Sequence, residues 1–313
     1  MRKVVTLGVH IVDVLALPVD ALPTGQDTVL VDQIRLTAAG SAAGTAVDLA
    51  KLGADVVSMG VIGDDELGDF LTAIMTRHGV DVSHLTRHPV DQTSASILPI
   101  RPDGGRPSFH VPGANLSVTA DDVDAAVLAE AAVVHLGGPD VTWALNDPVF
   151  FAALAAARAG GTIVTMDLLS NLADLVKGAA AFLPFVDYFL PNEEQAQAMT
   201  GLADPAEAAL SLLAEPDGPG PRAVIVTLGA EGSLVATPEG LTRLPALDVK
   251  VVDTTGCGDA YCAGFILGLL EGLDVLESAR WGTAAASQVA QGLGSDAGLT
   301  GLDAVREAAC AVR

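Results

Sequence analysis

The chain has 313 residues, half of them hydrophobic, enough to bury a large core and too apolar for a disordered or fibrous protein. Sixteen Lys and Arg against 39 Asp and Glu give a formal charge of −23, which argues against nucleic acid or an anionic membrane as a partner, because both need a positive face. A phosphate-bearing ligand would therefore need local positive potential from backbone N–H groups, helix N-termini or bound cations.

Arg2, Lys3 and the apolar run from Val4 start like a signal peptide, but Asp13 interrupts the run and no small-residue cleavage pattern follows, so the segment reads as a first strand over 4–7. No apolar stretch approaches the roughly 18 to 20 residues that span a bilayer. The next elements are a helix over 42–52 stopped by Gly53, a strand over 56–61 and a helix over 66–78 stopped by Gly79. The alternation resumes with a strand over 133–136, a helix over 148–159 ended by Gly160-Gly161, and strands over 163–166, 187–190 and 223–228. Runs such as Ala223 to Thr227 are continuously apolar, as strands covered by helices on both faces should be, so the expected fold is α/β, a doubly wound, mostly parallel sheet in one domain over 1–313. Two pieces break the alternation. Residues 28–36 and 93–111, the latter with a Gly104-Gly105 turn, are strand-like without a helix between arms and should form a small sheet over the carboxyl ends of the main strands. A short Pro/Gly loop occupies 215–221, helices are expected from near Gly258 and over 281–291, and no internal repeat is present. The three cysteines, Cys257, Cys262 and Cys310, lack zinc-ligand spacing and read as the reduced thiols of a cytoplasmic protein.

The densest chemistry lies in Asp253-Thr-Thr-Gly-Cys-Gly-Asp259, a polar turn placed against the start of an apolar helix. Gly256 and Gly258 permit a tight turn that aims the N–H groups of Gly256, Cys257 and Gly258 at one point, and the helix adds its positive end. An acid in a first helical turn is ordinarily stabilised by the helix dipole, by about 0.3 to 1 kcal/mol. Beside an anion hole, Asp259 can instead take a proton from a hydroxyl attacking the phosphoryl group held there. Cys257 near a helix N-terminus could be a nucleophile, but no activating His lies nearby in sequence. A dinucleotide dehydrogenase is excluded because Gly8-Val-His-Ile-Val-Asp13 lacks the Gly-x-Gly-x-x-Gly turn.

This motif resembles the second signature of the ribokinase-like (PfkB) carbohydrate kinase family, usually Asp-Thr-Thr-Gly-Ala-Gly-Asp, with Cys257 in place of Ala. Ala39-Gly-Ser-Ala-Ala-Gly-Thr-Ala46, followed by Gly60-Val-Ile-Gly-Asp-Asp-Glu-Leu-Gly68, is similar to the first signature, so the resemblance covers nearly the whole chain. It implies an ATP-dependent kinase acting on a sugar hydroxyl, with Asp259 as base, Gly256 to Gly258 as anion hole, and a lid inserted from about 12–38 and 91–112. Asp13 would grip sugar hydroxyls, with Gly40, Ser41, Gly44, Asn115 and Gly137 around the acceptor. Two positions depart from the ribose-specific pattern: Gly44 stands where Asn is common and Gly137 where a Glu follows the central strand. Losing both argues against ribose, leaves space for a larger acceptor such as a nucleoside, and makes His110, Asn115, Asp140 and Asp167 candidate replacements. Pro191-Asn-Glu-Glu-Gln195 looks like the family's Asn-x-x-Glu motif for magnesium and phosphate, with Gln195 in place of Glu and Asn192 retained. Thr227, Gly229, Gly232, Gly258 and Thr283 match nucleotide-binding positions, and Asp253, Thr255, Val289, Gly292 and Gly294 match a K⁺ site built mainly from carbonyls. Expected cofactors are thus ATP, Mg²⁺ and K⁺, and an exposed apolar lid face would pair with a second lid in a homodimer. A non-catalytic ligand sensor that retains the fold is the rival from another class.

Overall fold

The computed structural model describes residues 3–102, 105–214 and 218–313; Arg2, Gly104 of the expected Gly-Gly turn and the start of the 215–221 loop lie outside them. In chain order the strands are β1 Lys3–Gly8, β2 Ile11–Leu17, β3 Gln33–Ala39, β4 Asp55–Gly63, β5 Asp81–His88, β6 Ala95–Pro99, β7 Phe109–Val111, β8 Val133–Gly137, β9 Ile163–Asp167, β10 Tyr188–Phe189, β11 Ala223–Thr227, β12 Ser233–Thr237 and β13 Gly240–Leu244. The helices are α1 Ser41–Lys51, α2 Glu66–Arg77, α3 Ala125–Glu130, α4 Pro148–Ala159, α5 Ala173–Gly178, α6 Glu193–Thr200, α7 Pro205–Ser211, α8 Cys257–Leu270, α9 Val275–Val289 and α10 Leu302–Ala309.

The main sheet has nine strands in the order β13-β12-β11-β10-β9-β8-β1-β4-β5, parallel except for the β11-β12-β13 end. Successive residues of β1 feed opposite cores: Val5 and Leu7 pack with α3 to α7, Val4 with α1, α2 and α8 to α10. That is why these strands carry unbroken apolar runs. Local signals bound the helices. Asp65 accepts the Gly68 N–H at 2.8 Å to start α2, and Asp147 with Pro148 starts α4.

A second sheet of four strands, in the order β3-β2-β6-β7, takes β2 and β3 from 11–39 and β6 and β7 from 95–111. Here the structure corrects the expectation for 28–36. Residues 28–32 are irregular and mostly exposed, and pairing begins at Gln33 opposite Leu17 and continues to Ala39, three residues beyond the expected end. The β2 strand itself was hidden because it continues the apolar run of β1. The expected helix over 281–291 starts earlier, at Val275, where the Asp274 side chain accepts the Glu277 N–H at 2.9 Å. Strand 187–190 shortens to two residues before Pro191. Among the described residues no helix is long and apolar enough to cross a membrane.

Candidate active site

The chain enters the sheet at β1, builds outward through β4 and β5, then crosses to β8 on the other side of β1. This reversal of winding leaves a crevice at the carboxyl ends of β1 and β8, where open α/β sheets bind ligands. Bare backbone lets α1 land there. A Cβ on Gly137, the last residue of β8, would overlap the Ala42 amide nitrogen at the start of α1. Gly40 turns the chain into α1 at φ 87°, and Ser41 opens the helix.

The second wall is the turn before α8. Gly256 caps the helix in the left-handed region at φ 77°, and a Cβ there would run into Ser295, so glycine is required on two grounds. Of the three amides expected to form the anion hole, that of Cys257 closes back on the Thr254 carbonyl at 3.3 Å. Those of Gly256 and Gly258 have no acceptor among the described residues, which leaves two fully open donors at the positive end of a 14-residue helix. Asp259 follows in the first turn, partly buried, and its side chain does not cap the helix. Burial pushes its carboxyl up to about 8, the charges of Asp167 and Asp13 add to the rise, and Arg106 opposes it. A capping acid would move the other way. Cys257 is the reverse of a reactive thiol, raised to about 12 chiefly by burial.

The inner face of the small sheet carries a row of polar side chains. Thr37, Asp13, Ser96 and His110 lie in register across β3, β2, β6 and β7, and Ser96 Oγ is 3.1 Å from His110 Nδ1. Asp13 is buried and raised to about 6 by that burial, against a hydrogen bond from Ser96 and the charge of Arg106. Thr37 Oγ1 is buried with no partner among the described residues. The space expected at Gly44 and Gly137 is not open to a ligand. A Cβ on Gly44 would overlap the Asp259 carboxylate, and α1 fills the gap at Gly137. Two candidate replacements face their own backbone. Asn115 Oδ1 accepts the His10 N–H at 2.9 Å while its Nδ2 donates to the His10 carbonyl at 3.0 Å, and Asp140 accepts the N–H groups of Leu169 and Ser170. Asp167 approaches His135 Nε2 at 3.5 Å and groups with Cys262, whereas His110 shares the face of Ser96 and Asp13.

Between the β11–β12 turn and α8 and α9 lies a cavity of about 470 Å³. Thr227, Gly229, Gly232, Thr254, Cys257, Gly258 and Thr283 line it with small and apolar neighbours, so the expected nucleotide positions converge, apart from Asn192, which is tied to the group through its bridge to Thr227. Gly229 and Gly232 both turn at positive φ. Asn192 caps α6 reciprocally with Gln195, and the Gln195 amide donates to the carbonyls of Leu168 and Ser170. Gln195 thus braces the end of β9 and does not face a ligand. The adjacent carboxylate, Glu194, hydrogen-bonds Asn171, which also accepts from Asn192.

The model of the pfkB family carbohydrate kinases matches residues 1–300. The chain belongs to the PfkB family of carbohydrate kinases. It is 30% identical over 285 residues to an ATP-dependent ribose-1-phosphate kinase of Halopiger xanaduensis, covering 91% of this kinase and 90% of that protein. It superposes on a putative ribokinase from Agrobacterium tumefaciens with a TM-score of 0.85 at 22% identity, covering 99% and 98% of the two chains. An adenosine kinase from Sinorhizobium meliloti gives 0.80 at 26% identity over 98% and 99%. This kinase is a phosphotransferase acting on an alcohol group, of a family that spans sugar and nucleoside acceptors.

Behind the anion turn of the kinase, the residues expected around K⁺ are gathered by the chain itself. Asp253 is fully buried; its Oδ1 accepts the Thr255 N–H and hydroxyl at 3.0 and 2.8 Å, and its Oδ2 accepts the Gly294 N–H at 2.9 Å. The Gly292 N–H bonds the Val289 carbonyl at 3.1 Å. Both Asp253 oxygens and the Val289 carbonyl therefore already accept hydrogen bonds. Sequence reasoning did not select Thr37, Ser96, Arg106, Asn171 or Asp48. The first four each sit alone on a separate element, with no local motif to mark them. Asp48 lies one turn beyond Gly44 on α1, fully buried with neither oxygen partnered among the described residues, and burial beside the charges of Asp259 and Asp296 holds its carboxyl well above the usual range.

Proposed function

We propose that the protein transfers the γ-phosphoryl group of ATP to a hydroxyl of a sugar or sugar-like acceptor, with Asp259 as general base. The carrying observation is that Asp259 follows directly on the open Gly256 and Gly258 amides, of which Gly258 lines the cavity, while its carboxylate lies against α1 at Gly44 within reach of the charges of Asp13 and Asp167. The acceptor oxygen bonds to the γ-phosphorus as the bond from that phosphorus to the β–γ bridging oxygen breaks, ADP leaves, and the hydroxyl proton passes to Asp259. In such transfers positioning and electrostatics supply most of the catalysis. The ionised Asp259 is the active form, and the amides stabilise charge spreading over the phosphoryl oxygens.

The cavity suits a nucleotide: its walls are small and apolar where a base would lie, and its amides and glycines sit at the phosphate end. Mg²⁺ bound to the phosphates would neutralise charge there, and the linked side chains of Asn192, Asn171 and Glu194 would steady its waters. A monovalent cation at Asp253, Thr255, Val289, Gly292 and Gly294 would order the anion turn from behind; replacing K⁺ by Na⁺ in the assay tests it. The small sheet acts as a lid, carrying Asp13, Thr37 and Ser96 onto the acceptor. Its outward face, with Ile34 65%, Ile97 55% and Phe109 56% exposed, is one continuous apolar surface through Val14 and Leu36 that suits pairing with a second lid. Light scattering of Ile97→Lys against the wild type tests that dimer.

An ADP-release screen with Mg²⁺-ATP and K⁺ over pentoses, hexoses, keto-sugar acids and nucleosides, run beside Asp259→Asn, decides the reading. Acceptor-dependent ADP release that the variant lacks supports it; release unchanged by the variant overturns Asp259 as base. The likeness to an adenosine kinase favours nucleosides as the second acceptor class, and the same panel separates the two. The sensor reading loses its motive, because Gly44, Gly137 and Gln195 each have a packing role.

A further inference from the structure

The loop after α9, residues 292–296, is held between the small sheet and the anion turn. From β3, the Arg35 guanidinium donates to the Leu293 carbonyl and pairs with Asp296 Oδ1 at 2.6 Å, so one side chain grips the loop on both sides of Gly294. Ser295 Oγ donates to the Ala38 carbonyl at 2.6 Å, and a Cβ on Gly294 would come within 2.7 Å of Thr37 Cγ2. On its other side the loop supports the turn that precedes α8. The Gly294 N–H bonds Asp253 Oδ2 at 2.9 Å, and Ser295 packs against Gly256 so closely that no side chain fits between them. Asp296 is fixed further by Lys51 at the end of α1, whose ammonium lies 3.0 Å from Oδ2 and 2.6 Å from the Asp296 carbonyl, while His78 Nε2 stands 3.8 Å from Oδ2.

The strand that offers Thr37 to the acceptor face and pairs with Asp13 is thus linked by a bidentate arginine to the loop that shapes the phosphoryl-holding turn. A guanidinium fork constrains direction as well as distance, which a lone hydroxyl contact does not. We propose that Arg35 is a positioning residue that transmits the seating of the small sheet on acceptor to the Gly256 to Gly258 turn through Leu293 to Asp296. The acceptor-driven part of this coupling rests on the function proposed above; the mechanical link does not.

Hydrogen–deuterium exchange of the full chain, free and with Mg²⁺ and a non-hydrolysable ATP analogue, tests the link without an acceptor. Arg35→Met and Asp296→Asn should each speed exchange about tenfold or more across both 292–297 and 253–260 while leaving 223–227 unchanged. Arg35→Lys should be intermediate, the double variant no worse than either single, and Arg306→Met, which loses its surface pair with Glu271, should match the wild type. Loosening confined to 292–297 in Arg35→Met overturns the proposal, and Arg35→Lys carries the same test if the methionine variant does not fold. With an acceptor in hand, Arg35→Met should lower kcat about tenfold and leave KM for ATP within about threefold; an unchanged kcat overturns the coupling to catalysis. A wild type inactive on every acceptor would count against the proposed function, while the exchange result still decides the link.

Discussion

On the proposed nucleotide side of the cleft a ligand would meet amides, glycines and small apolar side chains; on the proposed acceptor side it would meet carboxyls. The first is cheap to build, because helix N-terminal amides need a partner in any case and a bound phosphate supplies it. The second is held against its own preference. Asp13 and Asp259 are raised to about 6 and about 8, so the folded chain binds these protons more tightly than the unfolded chain does. Ionising them therefore costs stability: their contribution falls as pH rises from the ordinary carboxyl range, roughly 4, and levels off above the folded value. The acceptor half stores strain that the nucleotide half lacks.

Removing the base should separate the halves most sharply. Asp259→Asn should lose roughly 10² to 10⁴ in turnover while nucleotide binding, read by calorimetry, stays intact. The same variant should melt higher than the wild type by a margin that grows between roughly pH 4 and pH 8, because Asn has no proton to lose. Next, kcat/KM should rise about tenfold per pH unit up to about 8 and then flatten, since Asp259, as the proposed base, must be ionised to act. A profile flat from pH 6 to 8 would remove the link between strain and catalysis. Gly44→Ala should fold, because its Cβ meets the end of a side chain, yet displace the Asp259 carboxylate and cost up to about 10² in kcat. Smallest is Cys257→Ala: the nucleotide half works through backbone, so turnover should stay within about threefold, and a larger fall would show that the thiol touches the ligand.

The contrast also explains what could be read from the sequence. The turn 253–259 was legible because each residue type there answers a local demand: a left-handed glycine at 256, open amides, an acid in the first helical turn. The alternating strands and helices were legible for the same reason. The acceptor half was legible only in part: Asp13 and His110 were candidates, but Thr37 and Ser96 join them only through the register of four strands. Gly44 and Gly137 show the limit most clearly. A missing side chain is visible in a sequence, but what fills its place is not, and here the occupants are the Asp259 carboxylate and the first turn of α1. Arg35 and Asp296 stand 261 positions apart, and neither has a local signature.

The contact between Gly44 and Asp259 restricts how this enzyme could be re-engineered. Grafting Asn at 44 to recreate a ribose-type pocket would push the base aside before any sugar hydroxyl was gained, so a change of acceptor must begin with the packing distance between α1 and α8. Residue size at 44 and the placement of α8 would have to be changed together.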